Sequence, residues 1–138
     1  MFNIVLVEPD IPQNTGNIIR LCANTGCHLH LIRPLGFVLD DKRLRRAGLD
    51  YHEFASVRTY KNMADFLDNN TSRLFAIETC GTKRYDEISY QPGDTLLFGA
   101  ETKGLSQKVL KTIPPDNQLS IPMQKNVRSL NLSNSVAL

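Results

Sequence analysis

Three stretches of this chain carry side chains suited to holding and activating a polar ligand. The last is Ile121-Pro122-Met123 followed by Arg128-Ser129-Leu130-Asn131-Leu132-Ser133-Asn134-Ser135. Small hydroxyl and carboxamide groups fill a core poorly. They suit a place where they converge with backbone amides on a polar ligand and a helix begins, with Ser129 or Asn131 as cap of a helix over Leu132–Leu138. In the middle stretch, Gly99-Ala-Glu-Thr-Lys-Gly104, two glycines bracket Glu101 directly after an apolar run. Gly99 admits close approach of a ligand to the backbone, and Gly104 permits a tight turn. The same residues also fit an ordinary strand-to-helix loop with an exposed glutamate. The first stretch sets Asn14 six residues before Arg20, with Asn17 between them. Taken singly, such an arginine is most often just solvated. Finally, Lys42-Arg43-Leu44-Arg45-Arg46 places four cations in five residues, a footprint for phosphates. Asp40, Asp41 and Asp50 flank it and would weaken its field or pair with it.

The elements that must position these groups read as alternating strands and helices. Asn3 to Val7 is a β-branched apolar run, hence a buried strand. Pro9 and Pro12 end it and impose an extended loop. A helix capped by Asn14 or Thr15 runs to about Thr25, with Gly26 as its stop. Asn17, Arg20 and Asn24 share its polar face, and Ile18, Leu21, Cys22 and Thr25 its core face. His28 to Ile32 is a second strand, which completes a βαβ unit with a right-handed crossover. Asp40 is placed to cap the basic helix, which stops near Gly48. Tyr51 to Phe54 reads as a connector, Ser56 to Tyr60 as a short strand, and Met63 to Leu67 as part of an amphipathic helix. Three further strands, Leu74–Ile77, Thr95–Phe98 and Leu119–Ile121, each feed a loop rich in Gly, Thr or Ser. In open parallel sheets that edge is where ligands bind. The expected fold is a three-layer α/β domain with about five or six strands, mostly parallel.

Composition narrows the function classes. The 138 residues suit one domain, and a net charge of +2 leaves any nucleic-acid case to local clustering. No stretch approaches the roughly 20 apolar residues of a membrane span, and the start lacks the basic lead of a signal peptide. Cys22, Cys27 and Cys80 have no zinc-site spacing and read as reduced thiols of a cytoplasmic protein. His28, His30 and His52 have no metal spacing, and the first two read as surface or strand-end residues. There is no dinucleotide fingerprint, P-loop or nucleophile elbow.

With these residues in hand, the chain resembles a known superfamily. Glu8-Pro-Asp-Ile-Pro-Gln-Asn-Thr-Gly-Asn-Ile-Ile-Arg-Leu-Cys-Ala-Asn-Thr-Gly26 is similar to the first motif of the SPOUT RNA methyltransferases. Leu97 to Leu105 resembles the second, and Ile121-Pro-Met with Ser129 to Asn134 the third. The run from Asp40 to Phe54 resembles the minimal single-domain branch, the tRNA (cytidine/uridine-2′-O)-methyltransferases acting on the wobble nucleotide. The resemblance implies a mostly parallel α/β sheet with a C-terminal trefoil knot, spanning 1–138 as one domain. It also implies a further C-terminal helix beyond Leu138, which this chain is expected to lack.

The same resemblance implies a cofactor and roles. S-adenosylmethionine would be bound by Ile77, Gly99, Ile121 and Ser129, with Leu130 adjacent, and S-adenosylhomocysteine would be the product. Arg20 would be the base or activator of the ribose 2′-hydroxyl, supported by Asn14, Glu101 and Asn131. Lys42, Arg43, Arg45 and Arg46 would hold tRNA phosphates. The enzyme would be a cytoplasmic homodimer, with Arg20 reaching the partner's site, and would need neither metal nor membrane. Two competing expectations differ in class. One is a non-catalytic RNA-binding module of the same fold, and the other a doubly wound domain for a different nucleotide, against which the missing glycine fingerprint counts.

Overall fold

The computed structural model describes residues 1–138, apart from the side chains at positions 41 and 51. Seven strands form one sheet: β1 (Asn3–Val7), β2 (His28–Ile32), β3 (Arg58–Tyr60), β4 (Leu74–Ile77), β5 (Lys83–Arg84), β6 (Thr95–Phe98) and β7 (Gln118–Ser120). Their order is β3-β2-β1-β6-β4-β7-β5, and every pairing is parallel. The expected six strands are present. The seventh, β5, is a two-residue edge strand of Lys83 and Arg84, too short and too polar to leave a hydrophobic signature.

Helices cover both faces, as a parallel sheet requires. On one side α1 (Pro12–Thr25), α2 (Asp41–Arg46), α3 (Tyr51–Phe54) and α6 (Leu132–Ala137) lie over a core that includes Ile4, Leu6, Ile18, Ile19, Leu31, Leu49 and Leu132. On the other, α4 (Met63–Asn69) and α5 (Gln107–Leu110) enclose Val5, Val7, Ile32, Phe66, Leu97, Val109 and Leu110. Odd and even residues of β1 thus enter different cores, the period of two that a central strand must show.

Several local readings change. Pro12 opens α1 rather than preceding it, because a first-turn position needs no N–H. Asn14 and Thr15 are buried within that helix, and Ile11 precedes it without a side-chain cap. Ile19 takes the core position expected of Leu21 and Thr25. Gly26 ends the helix in the left-handed region, φ 78°. Tyr51–Phe54 is one helical turn rather than a connector.

His30 departs furthest from expectation. It is only 9% exposed, at the middle of β2 and in register with Val5 at the middle of β1. Nε2 lies 2.9 Å from Asn3 Oδ1, and Nδ1 lies 2.9 Å from the Tyr60 hydroxyl. The Asn3 amide nitrogen donates to the Gly93 carbonyl, so its oxygen faces the imidazole. Nε2 therefore carries the proton, and Nδ1 accepts from Tyr60. These groups line a polar cavity of about 590 Å³ together with Arg58 and Ser72. Burial, then the charges of Arg58 and His28, lower the His30 pKa from 6.5 to about 4.

The sign of the linkage follows. The unfolded chain takes up this proton near pH 6.5, whereas the folded chain resists it down to about 4. Stability from this group should be complete above pH 6.5 and fall by up to roughly 3 kcal/mol by pH 4. Denaturant midpoints at pH 7.5, 5.5 and 4 should show that slope, and a His30→Gln variant should be flatter. An unchanged slope in the variant would assign the acid sensitivity elsewhere.

Candidate active site

Register places the site. Leu6 of β1 lies beside Phe98 of β6, Phe98 beside Ile77 of β4, and Ile77 beside Leu119 of β7. Four parallel strands thus end almost level, and their following segments emerge side by side. Between them lies a cleft of about 600 Å³, the size of a small-molecule site. Ile77, Gly99, Ile121, Ser129 and Leu130 all line it, as do Asn14, Glu101 and Asn131. The structure therefore gathers eight of the nine residues singled out for cofactor and catalysis. Arg20 is not among the cleft-lining residues, and neither is any cation of Lys42–Arg46.

The middle loop owes its shape to its glycines. A methyl group on Gly99 would collide with the backbone of Gly104 and Leu105, because the loop doubles back on itself. Gly99 is thus required for close approach of its own chain. Gly104 has φ 66° and forms an isolated antiparallel bridge with Ala100. A residue that the sequence did not single out secures the turn. Glu78, just past β4, accepts the Leu105 amide through Oε1 and lines the cleft. Only its position at a strand end signalled it.

Glu101 links this loop to α1. Its Oε2 accepts the amides of Asp10, at 2.8 Å, and Ile11, at 3.2 Å. Thr102 adds a hydroxyl bond to Asp10 Oδ2 at 3.2 Å. An anion at the start of a helix is favoured by the helix dipole, and here it holds the two amides that lead into α1. Glu101 Oε1 is buried and meets no donor among the described residues. A buried acceptor left open is costly, so an N–H or O–H of a ligand in the cleft would be favoured there.

The C-terminal stretch closes the arrangement. Asn131, not Ser129, caps α6: its Oδ1 accepts from the Asn134 amide at 3.2 Å and from the Ser133 hydroxyl at 2.6 Å. Its Nδ2 donates to Asn14 Oδ1 at 3.0 Å. One carboxamide therefore starts α6 and clips it to α1. Apolar Ile77, Ile121 and Leu130, carboxylates Glu78 and Glu101, and cations Lys103 and Arg128 complete the lining.

The remaining candidates sit on the α1–α3 side of the fold. Arg20 is half exposed and bonded to Glu53 and to the Gly48 carbonyl. Asp40 caps α2 as expected, accepting the Arg43 amide at 2.8 Å, but it also pairs with the Arg43 guanidinium at 2.6 Å. The Arg43 backbone amide first, and then the charge of its guanidinium, hold the Asp40 carboxyl below the usual carboxylate range. Arg43 is thus partly neutralised. Lys42, Arg45 and Arg46 are exposed, with no ion pair among the described residues. Burial pushes the Cys22 thiol up to about 12, so it is a core group without acid–base use near neutrality. Among the described residues no cluster of His, Cys, Asp and Glu is arranged to hold a metal, and no helix is long and apolar enough to cross a membrane.

The comparison with family profiles decides the classification: that of the SpoU rRNA Methylase family matches residues 1–138. The chain belongs to this family. A tRNA (cytidine(34)-2'-O)-methyltransferase of Photorhabdus asymbiotica is 58% identical over 144 residues, covering 100% of this chain and 89% of the relative. Among solved structures, one described as giving structural insights into the 2-OH methylation of C/U34 on tRNA superposes with a TM-score of 0.89 at 45% identity. That match covers 99% of this chain and 89% of the other. A SpoU methyltransferase from Streptomyces viridochromogenes, solved with the cofactor AdoMet, superposes with a TM-score of 0.78 at 25% identity, over 96% of this chain and 52% of that one. The SPOUT-type fold read from the motifs is therefore the fold of the protein.

The Asn131 contacts carry a prediction. Asn131→Ala should cost about 1 kcal/mol through loss of the cap and free α6 from α1. Asn131→Ser keeps a capping oxygen and should cost less. Urea midpoints of the two variants test this, and equal losses would place the origin outside the cap.

Proposed function

We propose that this protein transfers a methyl group from S-adenosylmethionine to the ribose 2′-hydroxyl of the wobble pyrimidine in tRNA. The observation that carries the reading is the cleft: motif residues far apart in sequence meet at one sheet edge, in a chain 58% identical to a named tRNA (cytidine(34)-2'-O)-methyltransferase. The lining suits the cofactor. Apolar walls accommodate an adenine, while carboxylates and cations suit a group bearing both an ammonium and a carboxylate. The cofactor supplies a sulfonium methyl that ends on the ribose oxygen, leaving S-adenosylhomocysteine and one proton to be removed.

The chain's own work is alignment and proton management. Ile77, Gly99, Ile121, Ser129 and Leu130 hold the cofactor side. Asn14, Glu101 and Asn131 fix the loops against α1 and present polar groups toward the substrate. Arg20 acts on the 2′-hydroxyl, as a base or by stabilising the oxygen's developing charge. Its guanidinium does not line the cleft of its own subunit, which supports a homodimer in which it serves the partner's site. A knotted C-terminal segment accords with the cleft's use of residues 121 to 135. Lys42, Arg45 and Arg46 hold phosphates, with Arg43 contributing less because Asp40 engages it.

Labelled methyl transfer to unmodified bulk tRNA, followed by nucleoside analysis, tests the reading. A 2′-O-methylated pyrimidine at position 34 is expected, and Arg20→Ala should abolish it. Binding of tRNA without transfer would favour the non-catalytic module, and transfer to ribosomal RNA alone would overturn the substrate. Neutralising Lys42 and Arg46 together should flatten the dependence of log affinity on log salt by nearly two units. An unchanged slope would remove those two cations from the interface.

A further inference from the structure

Arg20 is half exposed yet held in place by one short segment. Its Nε donates to Glu53 Oε2 at 3.1 Å, and its Nη2 donates to the Gly48 carbonyl. Both acceptors belong to the connection from α2 through α3. That connection is itself anchored: Gly48 sits in the left-handed region at φ 76°, and the next residue, Leu49, is buried in the core against which Phe54 packs. The Glu53 side chain is 20% exposed against 50% for Arg20, so the carboxylate is the better-fixed partner.

A guanidinium has five N–H donors, and these contacts use two of them. Three stay open to a substrate or a partner subunit. An ion pair this exposed adds little to stability. Its larger consequence is orientation, because a long side chain with many rotamers is reduced to few. The same connection begins at α2, so phosphates held by Lys42, Arg45 and Arg46 would sit on the segment that aims Arg20.

We propose that Glu53 is a positioning residue for methyl transfer, acting through Arg20. Its carboxylate fixes the Nε edge of the guanidinium so that the open donors point at the 2′-oxygen. This rests on the reading of Arg20 as the residue acting on that oxygen.

The test compares Glu53→Ala, Glu53→Gln and Arg20→Ala in steady-state methyl transfer to tRNA, with S-adenosylhomocysteine affinity measured by calorimetry. Glu53→Ala should lower kcat roughly 10- to 100-fold, the scale of a misaligned group. Its KM for tRNA and its product affinity should stay within about twofold of the parent, since uniform binding is untouched. Glu53→Gln keeps an acceptor for Nε and should recover most of the loss. If Arg20→Ala abolishes transfer while Glu53→Ala keeps the parent kcat, or raises KM alone, the positioning role is overturned and the reading of Arg20 stands. If Arg20→Ala retains transfer, the reading of Arg20 falls and the proposal with it. Should Glu53→Ala fail to fold, Glu53→Met keeps length and volume without an acceptor, and a parent-like kcat there overturns the proposal equally.

Discussion

The site depends on one carboxylate. Glu101 reaches from the loop after β6 to the amides of Asp10 and Ile11, the two residues that lead into α1, and so fixes how the chain enters that helix. Without it, those two donors, leading into the first turn of a 14-residue helix, would have to be satisfied by water. Asn14 lies in that turn, and through it Asn131 and α6 are fixed in their turn. A single anion thus sets the distance between the first motif, the second and the third. The structural and chemical roles of Glu101 do not compete, because Oε2 holds the helix while Oε1 remains open.

A second constraint is the conflict between a dry core and a polar cleft only a few residues apart. The sheet resolves it by direction. Strand interiors such as Val5, Leu6 and Leu97 are fully buried, and polarity begins where the strands stop. Backbone groups released there find partners at once: the Glu78 amide bonds the Leu119 carbonyl, and the Glu78 carboxylate takes the Leu105 amide. Gly81 and Gly99 lie where the chain packs against its own backbone too closely for a side chain. The loops are therefore held by the framework, which is the condition for aligning reactive atoms. Arg20 follows the same logic on the far side of α1, where Glu53 and the Gly48 carbonyl take the place of a packed wall.

What could be read from sequence follows from the range of each interaction. Strands β1, β4 and β6 are apolar runs apart from a polar first residue in β1 and β6, β2 alternates His and Leu before Ile32, and α2 and α6 have capping residues at the right offset, so these elements were legible. β5 carries no apolar signal, and its pairing exists only because β7 offers a free edge. The start of α1 was misplaced because no side chain caps it and its entry is held from about 90 residues away, by Glu101. His30 looked like a strand-end residue, since its partners Asn3 and Tyr60 are neighbours only across the sheet. The motif residues were legible as chemistry, and their convergence became visible with the strand order. Glu53 and Glu78 were not legible as site residues, because each acts through a contact formed only in the folded chain.

The central claim is that the cleft at the C-terminal ends of β4, β6 and β7 holds the methyl donor. A crystal structure of the protein with S-adenosylhomocysteine tests it most directly. The account predicts density for the molecule between the loops after those strands, in contact with Ile77, Gly99, Ile121 and Ser129. Density instead in the polar cavity beside His30 and Tyr60, or an empty cleft at saturating concentration, would contradict it.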